Sequence, residues 1–285
     1  AIKAGIVPIA VNTLLTTKDY EFMLTDSRAQ VLLVSEALYS QFAPLVGKLP
    51  FLRHVIVSGA DAKGHTAFND VLARGRAELA PAPTTRDDAC FWLYSSGSTG
   101  MPKGTVHVHS SMVKTAELYA RATIGLKESD LCFSAAKLFF AYGLGNALSF
   151  PLAVGATTVL MAERPTPAAV FKRLTEKKPS VFYGVPTLYA AMLADPAFPN
   201  RDSLGIRMCV SAGEALPPQI AKGFKEKTGI EVLDGIGSTE MLHIFLANRP
   251  GDVRYGTTGK AVTGYALRLV DEQGIPVKPG ELGEL

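Results

Sequence analysis

Short apolar runs alternate with amphipathic stretches over most of the chain. The apolar runs are rich in Val, Ile and Leu, which is typical of strands that are buried in a parallel sheet. We predict strands at residues 6–11, 31–34, 55–57, 91–93, 157–161, 181–183, 208–210 and 231–233.

Two of the amphipathic stretches predict helices with defined ends. Residues 168–177 place their apolar side chains on one face, as a helix packed on a sheet requires. Residues 217–228 open with two prolines and are followed by Gly229, and these are common start and stop signals for a helix.

The alternation of strands and helices predicts an α/β fold in which parallel sheets are covered by helices. From residue 253 onward the pattern changes to short β segments separated by glycine turns, which predicts the start of a small β subdomain. We therefore predict three subregions, residues 1–88, 89–252 and 253–285.

The composition argues against nucleic-acid and membrane partners. The net charge of the 285 residues is only +3, which is small for a nucleic-acid-binding protein. No apolar run reaches the roughly 18 residues of a membrane span. The three cysteines are widely spaced and form no metal-binding pattern, which favours a reducing cytoplasm. The oligomeric state is left open.

The stretch from Tyr94 to Gly104 carries the strongest chemical signal. It reads Tyr-Ser-Ser-Gly-Ser-Thr-Gly-Met-Pro-Lys-Gly. Glycine amides, hydroxyl groups and a mobile lysine charge together bind phosphate oxygens well. An ordinary surface turn is the alternative, because Ser, Gly and Pro are common turn residues. A Walker loop is excluded, since that motif has Gly before the lysine, whereas Pro102 precedes Lys103 here.

Two further polar segments, residues 211–217 and 234–240, each follow a predicted strand. Ligands in parallel α/β folds bind beyond the carboxyl ends of the strands. We therefore expect these two segments and the glycine-rich run to line one crevice. Thr239 and Glu240 suit a Mg²⁺–phosphate site because Mg²⁺ prefers hard oxygen ligands and few protein contacts. A capped helix start is the alternative.

The order Ser-Gly-Ser-Thr-Gly-x-Pro-Lys-Gly in residues 96–104 resembles the signature loop of the acyl-adenylate-forming, or AMP-binding, enzymes. This superfamily includes acyl-CoA ligases, luciferases and the adenylation domains of peptide synthetases. The resemblance implies that Lys103, Thr239 and Glu240 are catalytic, with Thr239 near the α-phosphate and Glu240 holding Mg²⁺. The phosphate-binding residues that it implies are Ser95, Ser96, Gly97, Ser98, Thr99, Gly100 and Lys103.

The segment 211–217 resembles the adenine-side loop of the same superfamily. The resemblance places Asp234 near the exocyclic amine of adenine, where a carboxylate accepts a hydrogen bond. Many relatives carry an aromatic residue where this chain has Ile236, so the adenine ring would be covered without aromatic stacking. The implied nucleotide-contacting residues are Gly213, Glu214, Ala215, Asp234, Gly235, Ile236 and Thr239.

Residues 137–145, together with 234–243, look most like the benzoate-CoA ligase branch. The resemblance implies a pocket for an aromatic acid, and a flat ring is held by an apolar slot with few polar groups. His243 would orient the carboxylate or a ring substituent, with a purely structural histidine as the alternative. The implied pocket residues are Ala141, Tyr142, Gly143, His243 and Ile244.

The implied reaction uses an aromatic acid, ATP and coenzyme A. The carboxylate attacks the α-phosphate of Mg-ATP, which releases pyrophosphate and forms an acyl-adenylate. The thiol of coenzyme A then attacks the acyl carbon and releases AMP. Two alternatives stay open. One is another adenylate former, such as a fatty acyl-CoA or acyl-AMP ligase or a peptide-synthetase adenylation domain; the other is a non-catalytic nucleotide-binding fragment.

Both ends of the chain cut through predicted structure. A ribose-binding Asp, a hinge Arg and a lysine-bearing C-terminal domain are further parts of the family that find no counterpart in this sequence. We therefore expect an internal piece of the family's large domain, with weak or no adenylation activity by itself.

Overall fold

The computed structural model describes residues 1–95 and 100–285. They form two compact units, Ala1–His109 and Ser110–Leu285. Four residues of the predicted phosphate loop, Ser96, Gly97, Ser98 and Thr99, lie outside the described residues, and their roles stay predictions.

The first unit contains two small sheets among its described residues. Its strands are β1 (Ile9–Ala10), β2 (Val31–Ser35), β3 (His54–Ser58), β4 (Thr66–Ala67), β5 (Ala89–Ser95) and β6 (Lys103–Val108). Its helices are α1 (Thr17–Asp26), α2 (Tyr39–Phe42) and α3 (Phe68–Arg74). One sheet has the order β1-β5-β6, with β5 parallel to β1 and antiparallel to β6. The other, β2-β3-β4, is parallel.

Alternation along β2 and β3 builds the core of this unit. Leu32 and Val34 of β2 are buried, and their neighbours in the strand are exposed, because successive strand residues point to opposite faces. The buried residues pack with Tyr20 and Phe42, whose rings stack 4.3 Å apart between centroids.

The second unit is built on a larger sheet. Its strands are β7 (Leu131–Ser134), β8 (Thr157–Val159), β9 (Val181–Gly184), β10 (Met208–Ser211), β11 (Val232–Gly237), β12 (Ile244–Ala247) and β13 (Lys260–Ala261). The remaining helices of the chain are α4 (His109–Thr115), α5 (Ala141–Leu144), α6 (Phe150–Val154), α7 (Pro167–Glu176), α8 (Pro186–Ala194) and α9 (Pro218–Thr228). Two π-helical segments, Ala116–Arg121 and Gly145–Ser149, directly follow α4 and α5.

The order of this sheet, within the described residues, is β13-β12-β11-β10-β9-β7-β8. Strands β7 to β11 are parallel to one another, and β12 and β13 are antiparallel to their neighbours. The central strands are buried on both faces: Val181 and Tyr183 of β9 join one core cluster and Phe182 joins another. A strand covered on both faces must be apolar at every position, so the sequence shows continuous apolar runs here.

The predicted α/β class is confirmed, and so are both predicted helices. Helix α7 buries Val170, Phe171 and Leu174 on one side. Helix α9 ends at Gly229, whose φ of 73° is the left-handed conformation that a glycine adopts without strain. Beyond β13 the backbone contains bridges from Val270 to residues 276 and 284. The predicted bounds of the three subregions stay a prediction.

Candidate active site

In the first unit, a hairpin brings the two ends of the predicted phosphate loop together. The antiparallel register of β5 and β6 sets Ser95 opposite Lys103 and Tyr94 opposite Gly104. Lys103 is exposed at this end of the hairpin, and Gly100 has a φ of 83°. The hairpin therefore places the hydroxyl-bearing Ser95 and the cationic Lys103 side by side at the two ends of the loop.

The base of this loop is anchored by the hydroxyl of Tyr94, a half-buried residue. Tyr94 donates a hydrogen bond of 2.7 Å to Asp26 Oδ2, at the end of α1. Burial and the neighbouring Asp26 carboxylate raise the pKa of Tyr94, so the phenol stays protonated and keeps donating. A second donor–acceptor contact of 3.4 Å joins it to the carbonyl of Met23.

In the second unit, the predicted nucleotide segments start at the carboxyl edge of the sheet. The register aligns Gly184 of β9, Ser211 of β10 and Asp234 of β11 across three neighbouring parallel strands. Gly213 follows β10 with a φ of 97°, and it is exposed together with the two residues after it, Glu214 and Ala215. This is the edge where parallel α/β sheets bind ligands.

Asp234 is buried in this edge, with a carboxylate oxygen that lacks a partner. Its side chain is 6% exposed, and Oδ1 has no hydrogen-bond partner among the described residues. Burial raises the pKa of Asp234 to about 6, although hydrogen bonds from the backbone of Leu216 and Gly235 act in the opposite direction. At neutral pH the group is an ionised acceptor with one oxygen open, which suits an amino group of a ligand.

The segment that starts at Asp234 continues β11 as far as Gly237, so the strand extends beyond its predicted end at residue 233. It pairs with β12, so its backbone groups are satisfied by the sheet. Glycine permits this close pairing, because a Cβ at Gly235 would lie 2.8 Å from Cγ2 of Ile244 and one at Gly237 would lie 2.5 Å from the carbonyl oxygen of His243. Ile236 remains 40% exposed in the strand.

Thr239 and Glu240 lie in the tight turn between β11 and β12. Leu242 N donates to the carbonyl of Thr239 at 3.1 Å, and the Glu240 side chain is exposed. The parts of the chain that the structure describes contain no group of three or more His, Cys, Asp or Glu side chains that could hold a metal. A single carboxylate still fits Mg²⁺, since this ion takes most of its ligands from phosphates and water.

Tyr142 uses its hydroxyl to bind the edge of the sheet. The oxygen lies 3.1 Å from the carbonyl oxygen of Gly184 and 3.2 Å from that of Val210. The hydroxyl of Tyr142 therefore hydrogen-bonds backbone carbonyl groups of the sheet. The ring itself is half-buried, with its centroid 5.6 Å from that of His243.

His243 is a buried, neutral ring. It is 2% exposed, and its Nε2 lies 3.1 Å from Oδ1 of Asn146. Burial lowers the pKa of His243 to about 3, so the imidazole carries no charge at neutral pH. The ring therefore provides no cation for a carboxylate. Ile244 follows it as the first residue of β12 and is 1% exposed.

Ala141 and Gly143 lie in the short helix α5. Ala141 is half-buried. Gly143 is buried against the backbone of Lys137, since a Cβ there would lie 2.1 Å from the Lys137 carbonyl oxygen. Their pocket roles stay predictions, as do the roles of the other predicted site residues.

The structure adds residues that the sequence did not single out. Asn146, Gly145 and Tyr119 all contact or face the ring of His243. Asn146 carries an amide in the mostly apolar run 144–154, and this contrast is a signal that could have identified it.

A match over the whole length of the chain shows which protein family it belongs to. Residues 1–285 match the model of the family described as "AMP-binding enzyme". The chain belongs to the AMP-binding enzyme family. Family membership agrees with the resemblance of the glycine-rich run and assigns both units to one enzyme class.

Members of this family that act on aromatic acids are among the most similar proteins. The chain is 61% identical over 286 residues to a benzoate–CoA ligase of Thauera aromatica, and 48% identical over 294 residues to a 4-hydroxybenzoate–CoA/benzoate–CoA ligase of Rhodopseudomonas palustris. A solved benzoate CoA ligase of Burkholderia xenovorans LB400 superposes with a TM-score of 0.92 at 52% identity.

These matches include nearly all of this chain but only about half of each relative. All of this chain is matched by the two curated relatives, and it covers 54% and 53% of their lengths; for the solved structure the shares are 99% and 55%. The chain therefore spans about half the length of the AMP-binding enzymes that it matches. No described helix is both long and apolar enough to span a membrane.

Proposed function

We propose that this chain carries the nucleotide-binding and acyl-binding part of an aromatic acid–CoA ligase that acts on benzoate or a substituted benzoate. One observation carries the proposal. The neutral His243 lies among aromatic rings at the carboxyl edge of the sheet, in a family member that is 61% identical to a benzoate–CoA ligase. An apolar, flat and uncharged surface favours an aromatic ring over a charged amino acid.

In the proposed first step, the carboxylate oxygen of the acid attacks the α-phosphorus of ATP, and the bond to pyrophosphate breaks. The protein supplies no nucleophile for this step, so its contribution is positioning and charge neutralisation. Lys103 and Ser95 would bind the departing phosphates, and Thr239 would bind near the α-phosphate. Glu240 would hold Mg²⁺, which neutralises phosphate charge when it is bound.

In the second step, the thiol of coenzyme A attacks the acyl carbon and AMP leaves with the electron pair of the acyl–oxygen bond. Adenine would be bound at Gly213, Glu214 and Ala215, with its exocyclic amine donating to Asp234. The open Oδ1 of Asp234 supports this assignment. A cytoplasmic location stays a prediction.

Pyrophosphate–ATP exchange on the full-length protein tests the substrate class. We expect exchange with benzoate and with hydroxybenzoates or aminobenzoates, and little exchange with aliphatic acids or amino acids. Exchange that is driven only by aliphatic or amino acids would contradict the aromatic assignment. If none of these acids drives exchange although the protein binds ATP, a non-catalytic nucleotide-binding protein would be favoured.

Lys103→Ala tests the phosphate loop by calorimetric titration of ATP with and without Mg²⁺. A hydrogen bond to a charged group contributes about 1.5–3 kcal/mol, so ATP affinity should fall by about 10- to 100-fold. Lys48→Ala, which removes an exposed lysine elsewhere in the first unit, is the matched control and should bind ATP like the wild type. Equal affinity of the Lys103 variant and the control would contradict the proposed role of the loop.

A further inference from the structure

The two π-helical segments of the second unit both supply a residue to the surroundings of His243. Tyr119 of Ala116–Arg121 has its ring centroid 5.1 Å from that of His243, and Asn146 of Gly145–Ser149 provides the hydrogen-bond partner of Nε2. π-Helical turns are rare and occur frequently at functional sites. The convergence of both segments on one ring is therefore a specific feature of this pocket.

The ring of His243 is held sterically from several sides. A Cβ at Gly145 would lie 2.4 Å from Cδ2 of the ring, so only glycine leaves room for it. Phe150 meets the ring edge-on at 4.4 Å between centroids. Leu242 directly before it has a φ of 65°, a left-handed conformation that is unfavourable for a residue other than glycine. The backbone is thus strained at the point that turns His243 into the core.

The polar contact of the ring decides which nitrogen carries the proton. Asn146 is fully buried, and its Oδ1 lies 3.1 Å from Nε2 of His243. An amide oxygen only accepts hydrogen bonds, so Nε2 is the donor and Nδ1 holds a lone pair. Within residues 1–95 and 100–285, Nδ1 has no side-chain hydrogen-bond partner. The backbone of Tyr142 also hydrogen-bonds the ring and favours its protonated form, so Asn146 is the side chain that distinguishes the two nitrogens.

We propose that Asn146 is a positioning residue of the aromatic-acid pocket: it holds the His243 ring in one orientation and in the Nε2–H tautomer. The inference rests on the proposed function, in which His243 lines that pocket. Asn146 acts through His243 and does not itself contact the substrate. Without it, the ring would lose the side-chain acceptor that orders it and would exchange between two tautomers.

Kinetics of a double-mutant cycle on the full-length protein test this coupling. Asn146→Ala should lower kcat/KM for the aromatic acid by up to about tenfold, the equivalent of one hydrogen bond, and should leave KM for ATP unchanged. In a His243→Ala background the same change should alter kcat/KM less than about twofold, because coupled residues are not additive. Asn200→Ala, an exposed asparagine of the same unit, is the matched control and should behave like the wild type. Losses that multiply in the double variant, or an equal rise in KM for ATP, would overturn the proposal.

The tautomer is measured directly by two-bond ¹H–¹⁵N NMR with ¹⁵N-labelled histidine. The chain has five histidines, and the spectrum of His243→Ala assigns the signal. We expect the Nε2–H pattern in the wild type and a mixture of tautomers in Asn146→Ala. If the alanine variant does not fold, Asn146→Asp keeps an acceptor at the same position and should retain the Nε2–H pattern. An Nδ1–H pattern in the wild type, or an unchanged pattern in Asn146→Ala, would refute the inference.

The two proposals fail in distinguishable ways. If benzoates drive no exchange, the proposed function is wrong whatever the NMR spectrum shows. If benzoates drive exchange but the tautomer does not depend on Asn146, only the positioning role is wrong.

Discussion

Replacing Asp234 with asparagine should stabilise the protein at neutral pH. Asp234 is buried, and burial raises its pKa from 3.8 to about 6. A carboxyl whose pKa is raised by folding stabilises the fold fully below its unfolded pKa, and that contribution is lost as the pH rises through about 6. Above pH 6 the wild type therefore carries the cost of a buried ionised carboxylate.

The magnitude follows from the two pKa values. The pKa of Asp234 rises from 3.8 to about 6, a difference of about 2.2. Because a pKa difference of one corresponds to about 1.4 kcal/mol, ionised Asp234 destabilises the fold at neutral pH by at most about 3 kcal/mol. Asparagine has nearly the same shape and carries no charge to desolvate. It keeps one acceptor for the backbone N–H groups of Leu216 and Gly235, so most of the cost should be relieved.

Urea unfolding followed by circular dichroism at pH 4 and pH 8 measures the effect. Asp234→Asn should be more stable than the wild type at pH 8, by about 1–3 kcal/mol, and the difference should shrink at pH 4. Asp202→Asn, which removes an exposed carboxylate of the same unit, is the control and should show little difference at pH 8. A variant that is less stable than the wild type at pH 8, or a gain of the same size at both pH values, would refute the reasoning.

Two further substitutions test contacts in the second unit. Tyr142→Phe removes the hydroxyl that binds the carbonyls of β9 and β10, and should lower the free energy of unfolding by about 1–2 kcal/mol; an unchanged urea midpoint would contradict this. Asp130 is 4% exposed, and although burial alone would raise its pKa, hydrogen bonds led by that from Arg207 hold the pKa below 3.8. Its contribution is therefore present above the unfolded pKa and is lost as the pH falls through the lower folded value. Asp130→Asn should cost about 3 kcal/mol at pH 7 and less at pH 3, and equal losses at both pH values in urea unfolding would argue against this ion pair.

Local patterns predicted the elements of the fold well where each element is defined by its own residues. The run Val181–Gly184 is apolar at every position and forms β9. Helix α9 begins after Pro217 and ends at Gly229, as its start and stop signals indicate. These signals work because helix ends and buried strands are set by short-range geometry and by burial.

The segment from Asp234 to Gly237 shows where local patterns fail. Its glycines and its carboxylate are typical of a loop, yet it continues β11. The partner strand β12 supplies its hydrogen bonds and approaches so closely that glycine is required. The residues of the segment do not by themselves indicate that such a partner strand exists. The contact between His243 and Asn146 is similar, since 97 residues separate them along the chain.

The sequence by itself determined which chemical groups the protein has: a hydroxyl- and glycine-rich run that ends in Lys103, a Thr–Glu pair, and an aromatic segment near Tyr142. These groups and their order were enough to indicate the family. Only the tertiary structure decided the state of the groups. Asp234 is a weak acid with an open oxygen and His243 is a neutral ring held by Asn146, because burial removes water from a charge and distant residues supply the partners that replace it.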